Sequence, residues 1–552
     1  MGKIYIIGED KHYPNIKTEG ILVYPSINED LNDFVIRSFQ NLATSDVVIY
    51  DLDNGNWERE CEIALHLRMT PEIPSGRQVP FVFTSNHSMC EFLNGVHSQI
   101  FLTIGCHFIS PDNIEYELPY QQAISIADYS KGFLRRINIR PEGEMGSHSI
   151  ANVWGASVLN RMISRDDIPM NEALINAQKK LYYKFILAKT TYVSENSHKP
   201  STSVQYQIGK INAVGKRVLL IDDEADKGWL TALTNLLIGA SIHSIQEQVP
   251  DFNSFTEKSR KEIESDKYDL IFLDLRLNGK KEDDNLAPDE FSGMKVLKKI
   301  KNINKGTQVI ILTASNKAWN IQALLQLADG FYIKESPEYQ FSKEFSEANF
   351  TAFKNTIERC LSNTYLRGIY KEMQFIKNEF NSLTTHQNLK QGILQQLDGA
   401  FSLISSARES KEYAFAYVAL YQILEMITKE YLTINDSIYY FAENNIECSN
   451  YRIVSGKCQP CSWGENEFDY PQWKQISSFY YQLKGQTDPY FGASIQKLIE
   501  KRNAFMHNDQ TLLDKKEFNK KNMKHEYVHH DIFTSCGYKA LFEKIKILCN
   551  LI

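Results

Sequence analysis

No stretch of this 552-residue chain approaches the roughly 18 apolar residues a membrane-spanning helix needs. The opening MGKIYIIGEDKHYP likewise lacks a basic segment followed by a long apolar run. These absences give the expectation of a cytoplasmic protein with no membrane partner. Nine cysteines at irregular spacing exclude a disulfide framework, and in a reducing compartment they are thiols or metal ligands. Neither sign of charge dominates: the net charge is -7, so any nucleic-acid contact must be local. What is present, 43% hydrophobic and 23% charged residues, is the composition of a globular protein, and the length implies three or four domains.

The clearest order lies in the middle. KRVLLIDDEAD (216–226) is an apolar run ending in an acidic pair, and YDLIFLDLRL (268–277) carries Asp274 at its end. TQVIILTAS (307–315) ends in Thr313, and DGFYIKES (329–336) ends in Lys334. Helical patterns such as WLTALTNLLIGA and GMKVLKKIKN separate these runs, which predicts βαβ units and a doubly wound parallel sheet. In such sheets functional groups gather beyond the carboxyl ends of the strands, where Asp222, Asp223, Asp274, Thr313 and Lys334 all fall. Three converging carboxylates repel one another unless a hard cation neutralises them, so Mg²⁺ is the expected occupant. Asp274 is then a candidate nucleophile toward phosphorus, with Lys334 steadying the transferring oxygens and Thr313 offering a hydroxyl. Strands that merely end in polar residues account for one or two of these positions but not five.

This DD…D…T…K order resembles the receiver domain of two-component response regulators, over about 215–340. The resemblance implies a flavodoxin-like fold, with Asp274 as phospho-acceptor, Asp222 and Asp223 with Asp274 at Mg²⁺, and Thr313, Lys334 and Phe331 as switch residues. It also implies a sensor histidine kinase or phosphotransfer protein as partner. Two departures stand out: Asn278 replaces a proline usual shortly after the acceptor, and the insertion NGKKEDDNLAPDEF lengthens the loop before Gly293.

Residues 1–135 repeat the rhythm more faintly. KIYIIGED ends in Glu9 and Asp10, SDVVIYDLD near Asp51 and Asp53, and VPFVFTS in Thr84 and Ser85, with helical ECEIALHLR between. The next apolar run, QIFLTIGCHFIS, offers only Cys106 and His107 where a lysine is needed. A degenerate receiver-like domain that binds a partner or dimerises fits better than phosphotransfer; an unrelated flavodoxin-like domain would read the same way. Residues 136–212 read as a helical segment with a polar linker and receive no chemistry; His148 there reads as a capping or core histidine. Domain boundaries at 213–342 for the receiver and 343–394 for a helical connector follow.

From about 395 the chain looks all-helical, with EYAFAYVALYQILEMITKEYL (412–432) and FGASIQKLIEKRNAFMH (491–507) as amphipathic helices. Arg502 and His507 are five apart, about 140° around one helix, so they meet only if the helix ends between them or two chains face each other. R-x4-H near a helix end, with Glu425 on an earlier helix, resembles the HEPN domain, over about 395–552. That resemblance implies a metal-independent endoribonuclease with its site at a dimer interface. Arg502 would hold the scissile phosphate, His507 move a proton, Asn503 orient either, and Glu425 assist. Glu425 reads equally well as a surface glutamate paired with Lys429.

Past the motif, KKEFNKKNMKHEYVHH supplies Lys515, Lys516, Lys520, Lys521 and Lys524 as candidate RNA-backbone contacts, or as a solvated basic loop. ECSNYRIVSGKCQPCSW brings Cys448, Cys458 and Cys461 together as ligands for a structural Zn²⁺, with Cys536, His525, His529 or His530 as the fourth; the alternative is three reduced thiols. The expected protein is therefore multidomain α/β plus all-α: a degenerate receiver, a phosphorylatable receiver and a helical HEPN-type ribonuclease, working as a homodimer in stress or anti-phage defence. The competing expectation is a non-enzymatic signalling adaptor whose helical domain binds a protein or RNA without cleavage.

Overall fold

A computed structural model describes residues 2–8, 20–118, 121–140, 147–163, 172–193, 209–278, 290–313, 327–336, 343–463, 471–507, 516–519, 524–527 and 532–552, apart from positions 27, 383, 384, 408, 486 and 533. It divides into two compact units, Met1–Lys298 with Val309–Leu361, and Lys299–Gln308 with Ser362–Ile552.

The first unit holds two α/β sheets. Strands β1 (Ile4–Ile7), β2 (Gly20–Val23), β3 (Val47–Asp51), β4 (Phe81–Thr84) and β5 (Cys106–Ile109) form the N-terminal sheet, in the order β2-β1-β3-β4-β5 with every pair parallel. β3 and β4 are buried along their whole length, as a sheet covered on both faces requires. The helix Leu31–Phe39 starts where the Asp30 carboxylate accepts hydrogen bonds from the Asn32 and Asp33 amides. The helix Trp57–Met69 carries in its last turn Arg68, fully buried, which donates to the carbonyls of Gly76 (3.0 Å), Val79 (2.7 Å) and Gly105 (2.9 Å) and so ties strand-entry loops together.

The middle sheet comprises β6 (Arg217–Ile221), β7 (Ser241–Ile245), β8 (Leu270–Asp274), β9 (Gln308–Thr313) and β10 (Gly330–Ile333), ordered β7-β6-β8-β9-β10. β6 pairs in parallel with both β7 and β8, and β9 with β10. This is the flavodoxin-like order anticipated from the sequence, and its switch point lies between β6 and β8.

One boundary differs from expectation. The helix Lys343–Ser362 is no connector: Phe350, Phe353, Ile357 and Cys360 lie in the middle domain's core with Phe272 and Tyr332. The helix Ser147–Ile163, read from the sequence as part of a helical segment, packs between two cores. Val153, Trp154 and Val158 join the N-terminal core, while Ala156, Leu159 and Ile163 join the middle one. Its apolar residues run all round the cylinder because both sides are covered.

The second unit is built on helices Tyr365–Ser382, Gln387–Ser406, Ser410–Tyr431, Pro471–Lys484, Phe491–Met506 and Tyr538–Cys549, which share one core around Ile393, Tyr417, Tyr421, Trp473, Ile495 and Phe542. The first of these helices, expected as connector, is thus part of the bundle. The expectation of an all-helical region from 395 is also corrected. Antiparallel hairpins are formed by Leu432–Asn435 with Ile438–Phe441, Asn450–Val454 with Lys457–Cys461, and Lys516–Asn519 with Lys524–Tyr527. The first two turn through residues at positive φ, Asp436-Ser437 (46° and 65°) and Ser455-Gly456 (50° and 78°), the backbone that two-residue hairpin loops favour. Among the described residues no helix is long and apolar enough to cross a membrane.

Candidate functional site

Asp222 follows β6 and Asp274 closes β8, so the switch point of the middle sheet brings two carboxylates to one rim. Lys334, next after β10, reaches back with Nζ 2.7 Å from Asp222 Oδ2 and 2.8 Å from Asp274 Oδ2, all three side chains buried. Thr313 closes β9, buried, and Phe331, three residues before Lys334, is 39% exposed. Gly293 is required where it stands: an added Cβ would lie 2.2 Å from the Asp274 carbonyl oxygen, so no side chain fits as the helix Ser292–Ile303 passes the end of β8.

The electrostatics are those of crowded acids. Burial raises the Asp222 pKa against the opposing charge of Lys334. Asp223 is pushed up to about 8, first by burial and then by the charges of Asp274, Asp222 and Glu224. Burial pulls the Lys334 pKa down, but Asp222 and Asp274 outweigh it and hold the ammonium above its ordinary range. Asp222, Asp223 and Asp274 each present an oxygen within 4.8 Å of the others, and among the described residues they form the one such group. Both Asp223 oxygens are buried without a hydrogen-bond partner among those residues. An orphaned carboxylate beside two others is the donor set a hard divalent cation such as Mg²⁺ takes, and the residues fit it.

The N-terminal sheet presents a reduced version of this rim. Asp51 closes β3, buried, and Thr84 closes β4. Asp53 accepts from the Ser85 hydroxyl and, at 2.8 Å, from both the backbone and side-chain amides of Asn86. Cys106 and His107 stand at the entering end of β5, away from that rim; the residue that follows β5, as Lys334 follows β10, is Ser110. The lysine is therefore replaced rather than displaced. Glu9 and Asp10 lie outside the described residues. Glu60, fully buried and taking a 2.7 Å hydrogen bond from Asn54, is pushed up to about 8 by burial against that bond, with the Asp51 charge adding to the rise.

In the helical unit the structure brings Arg502 and Glu425 together across two helices, Nη2 to Oε1 at 3.8 Å. Arg502 also donates to Asn503 Oδ1 at 2.8 Å, and its guanidinium lies 5.8 Å from the Tyr421 ring centre. Glu425 is buried rather than a surface residue, and its contact with the exposed Lys429 is the looser one, 3.9 Å. His507 is exposed at the C-cap of the Phe491–Met506 helix, so the helix does end between Arg502 and His507. Arg502 Nε, Glu425 Oε1 and the Tyr421 hydroxyl are buried without hydrogen-bond partners among the described residues.

The cysteines do not assemble. Cys458 and Cys461 sit three apart on one strand and so face opposite sides, and with Cys448 they form no group of ligand spacing among the described residues. Burial raises the Cys448 thiol to about 11 and also raises that of Cys458. Lys516 is exposed and Lys524 lies on the facing strand; Lys515, Lys520, Lys521, His529 and His530 lie outside the described residues.

Sequence reasoning missed Asn152, whose amide enters the Lys334 site from the Ser147–Ile163 helix. A single amide inside the otherwise apolar IANVWGASVL was the available signal. Tyr421, one turn before Glu425, was not singled out, and the structure places it in the core beside Arg502.

Residues 3–109 match the family model of the inactive receiver domain. The match covers the N-terminal parallel sheet, in agreement with its missing lysine, and supports a signalling role for the chain. A search of curated proteins finds no match.

Proposed function

We propose that this chain is a signalling protein whose middle domain accepts a phosphoryl group on Asp274, from a sensor kinase, a phosphotransfer protein or a small phosphodonor. The observation that carries this is the Lys334 ammonium held between Asp222 and Asp274 beside the orphaned Asp223 carboxylate. An Asp274 oxygen forms the bond to phosphorus, the bond to the donor's leaving group breaks, and that group departs with the electron pair. Asp222, Asp223 and Asp274 hold Mg²⁺, which when bound offsets negative charge on the transferring oxygens. Lys334 supplies a fixed positive charge and a donor to the same oxygens. Thr313 and Phe331 are the nearby groups that respond to the phosphoryl group afterwards. The N-terminal domain, matching an inactive family, serves as a partner-binding module. Incubation with a labelled small phosphodonor and Mg²⁺ tests the reading: label on the wild type and none on Asp274→Asn supports it.

For the helical unit we propose a HEPN-type endoribonuclease that works as a homodimer, on the pairing of Arg502 with buried Glu425 beside a helix that stops at His507. Arg502 holds the phosphate, His507 moves the proton, and Asn503 fixes the guanidinium. Lys516 and Lys524 extend the contact along the RNA backbone. A role in growth arrest or anti-phage defence follows by analogy. Incubation with RNA, with and without phosphodonor, separates this from a non-cleaving adaptor.

A further inference from the structure

The Lys334 ammonium has three protons, and three acceptors surround it: Asp222 Oδ2 at 2.7 Å, Asp274 Oδ2 at 2.8 Å, and Asn152 Oδ1 at 2.8 Å. The third does not belong to the α/β domain. Asn152 lies on the Ser147–Ile163 helix, fully buried, and its amide is engaged at both ends. Oδ1 also accepts from Trp229 Nε1 at 3.1 Å, and Nδ2 donates to Glu224 Oε2 at 2.7 Å. The helix is seated closely beside it. A Cβ on Gly155 would lie 3.0 Å from the Glu335 carbonyl oxygen, one residue past Lys334, and a Cβ on Gly228 would lie 3.0 Å from Ala156.

A phosphoryl group on Asp274 adds anionic oxygens within reach of Lys334. With all three protons committed, one acceptor must be released. Phosphorylation turns the Asp274 carboxylate into a neutral acyl oxygen, so the phosphoryl oxygens and Asp222 draw the ammonium by full charge; as Nζ moves toward the phosphoryl group, its contact with the neutral Asn152 amide is the one that yields. Asn152 then loses a partner in a place water does not reach, and its position over Trp229 and Glu224 must readjust. Because Val153, Trp154 and Val158 on the same helix are packed in the core of the inactive receiver domain, the readjustment is felt there.

We propose that Asn152 is a positioning residue of the phosphoryl site, contributed by the interdomain helix, which holds Lys334 in the resting state and, on release, transmits the state of Asp274 to the N-terminal inactive receiver domain. The inference rests on the reading of Asp274 as phospho-acceptor. Coupling of this kind is reciprocal: a partner seated on the N-terminal domain that shifts the helix changes how readily Asp274 takes up phosphate.

The test measures two quantities on the full chain, the rate of labelling from a small phosphodonor with Mg²⁺ and the hydrogen exchange of residues 147–163. Asn152→Ala removes the competing acceptor and is expected to label roughly three- to tenfold faster than the wild type, the scale of one hydrogen bond. A purely structural residue, when deleted, loosens the site and slows labelling. In the wild type, phosphodonor is expected to raise exchange across 147–163, and in Asp274→Asn to leave it unchanged. The wild-type measurement decides the matter should the alanine variant fail to fold. Label on Asp274 with unchanged exchange, or with Asn152→Ala no faster than the wild type, overturns the inference and leaves the phospho-acceptor reading standing. No label on the wild type overturns both.

Discussion

Lys334 Nζ lies 2.8 Å from Asp274 Oδ2, with both side chains almost wholly out of water at the closing ends of β10 and β8. An ammonium fixed that close to a carboxylate is in place before any phosphorus arrives. Lys334→Ala is therefore expected to cut the labelling rate about a hundredfold, the scale of losing one preorganised electrostatic contact. Label on Asp274 at an unaltered rate in that variant would show that the lysine is only a core ion-pair member.

The metal makes a separate prediction. Labelling should stop in EDTA and return with Mg²⁺, and Asp223→Asn should raise the Mg²⁺ concentration needed by about tenfold or more. The wild type should gain roughly 2–4 °C in its thermal midpoint at a Mg²⁺ concentration that saturates it, and Asp223→Asn should gain less at that same concentration. Equal Mg²⁺ dependence in the two proteins, read by calorimetry, removes Asp223 from the metal site.

Glu60 predicts a pH dependence of stability in the N-terminal domain. Its folded pKa of about 8 lies above the ordinary 4.5, so the folded state binds this proton more tightly than the unfolded state. The stabilisation is full below the ordinary value and is lost as pH rises toward and through about 8. Glu60→Gln should lack this loss, so its advantage over the wild type should grow from pH 5 to pH 9 and reach on the order of 2–4 kcal/mol. Parallel denaturation curves for the two proteins at both pH values would place Glu60 in a solvated environment instead. Asp51→Asn should leave phosphodonor labelling of the chain unchanged, since Ser110 stands where the lysine is needed.

In the helical unit, His507→Ala should lose RNA cleavage while keeping RNA binding, and Arg502→Ala should weaken both, each by roughly 10² to 10⁴ in rate. Cleavage should survive EDTA once the active assembly has formed and should leave 2′,3′-cyclic phosphate ends. RNA degraded equally by wild type and His507→Ala would return the unit to the adaptor reading.

Much of the middle domain was legible because its signals are local. A buried parallel strand needs an unbroken apolar run, and the residue that ends the run must stand at the rim, so Asp222, Asp274, Thr313 and Lys334 could be placed from spacing alone. The hairpins in the C-terminal half were overlooked although Asp436-Ser437 and Ser455-Gly456 carry turn chemistry, because amphipathic helices on both sides dominated the reading. Cys458 and Cys461 read as a zinc half-site from their spacing alone; on the strand where they lie, that spacing sends them to opposite faces. Arg502 and Glu425 were named for one site without a contact between them, and that contact depends on how two helices 77 positions apart in the sequence pack.

The chain by itself determined which residues would carry charge at which strand ends, since side-chain direction along a strand and the need to bury apolar runs act over a few residues. It also determined that the N-terminal sheet would lack its lysine. Only the tertiary structure decided what the Ser147–Ile163 helix is for. An all-round apolar helix must be covered, but periodicity cannot say by what, and here one side is the core of the first α/β domain and the other the core of the second. That choice, made by packing over long sequence separations, is what carries Asn152 to within 2.8 Å of a lysine 182 residues away.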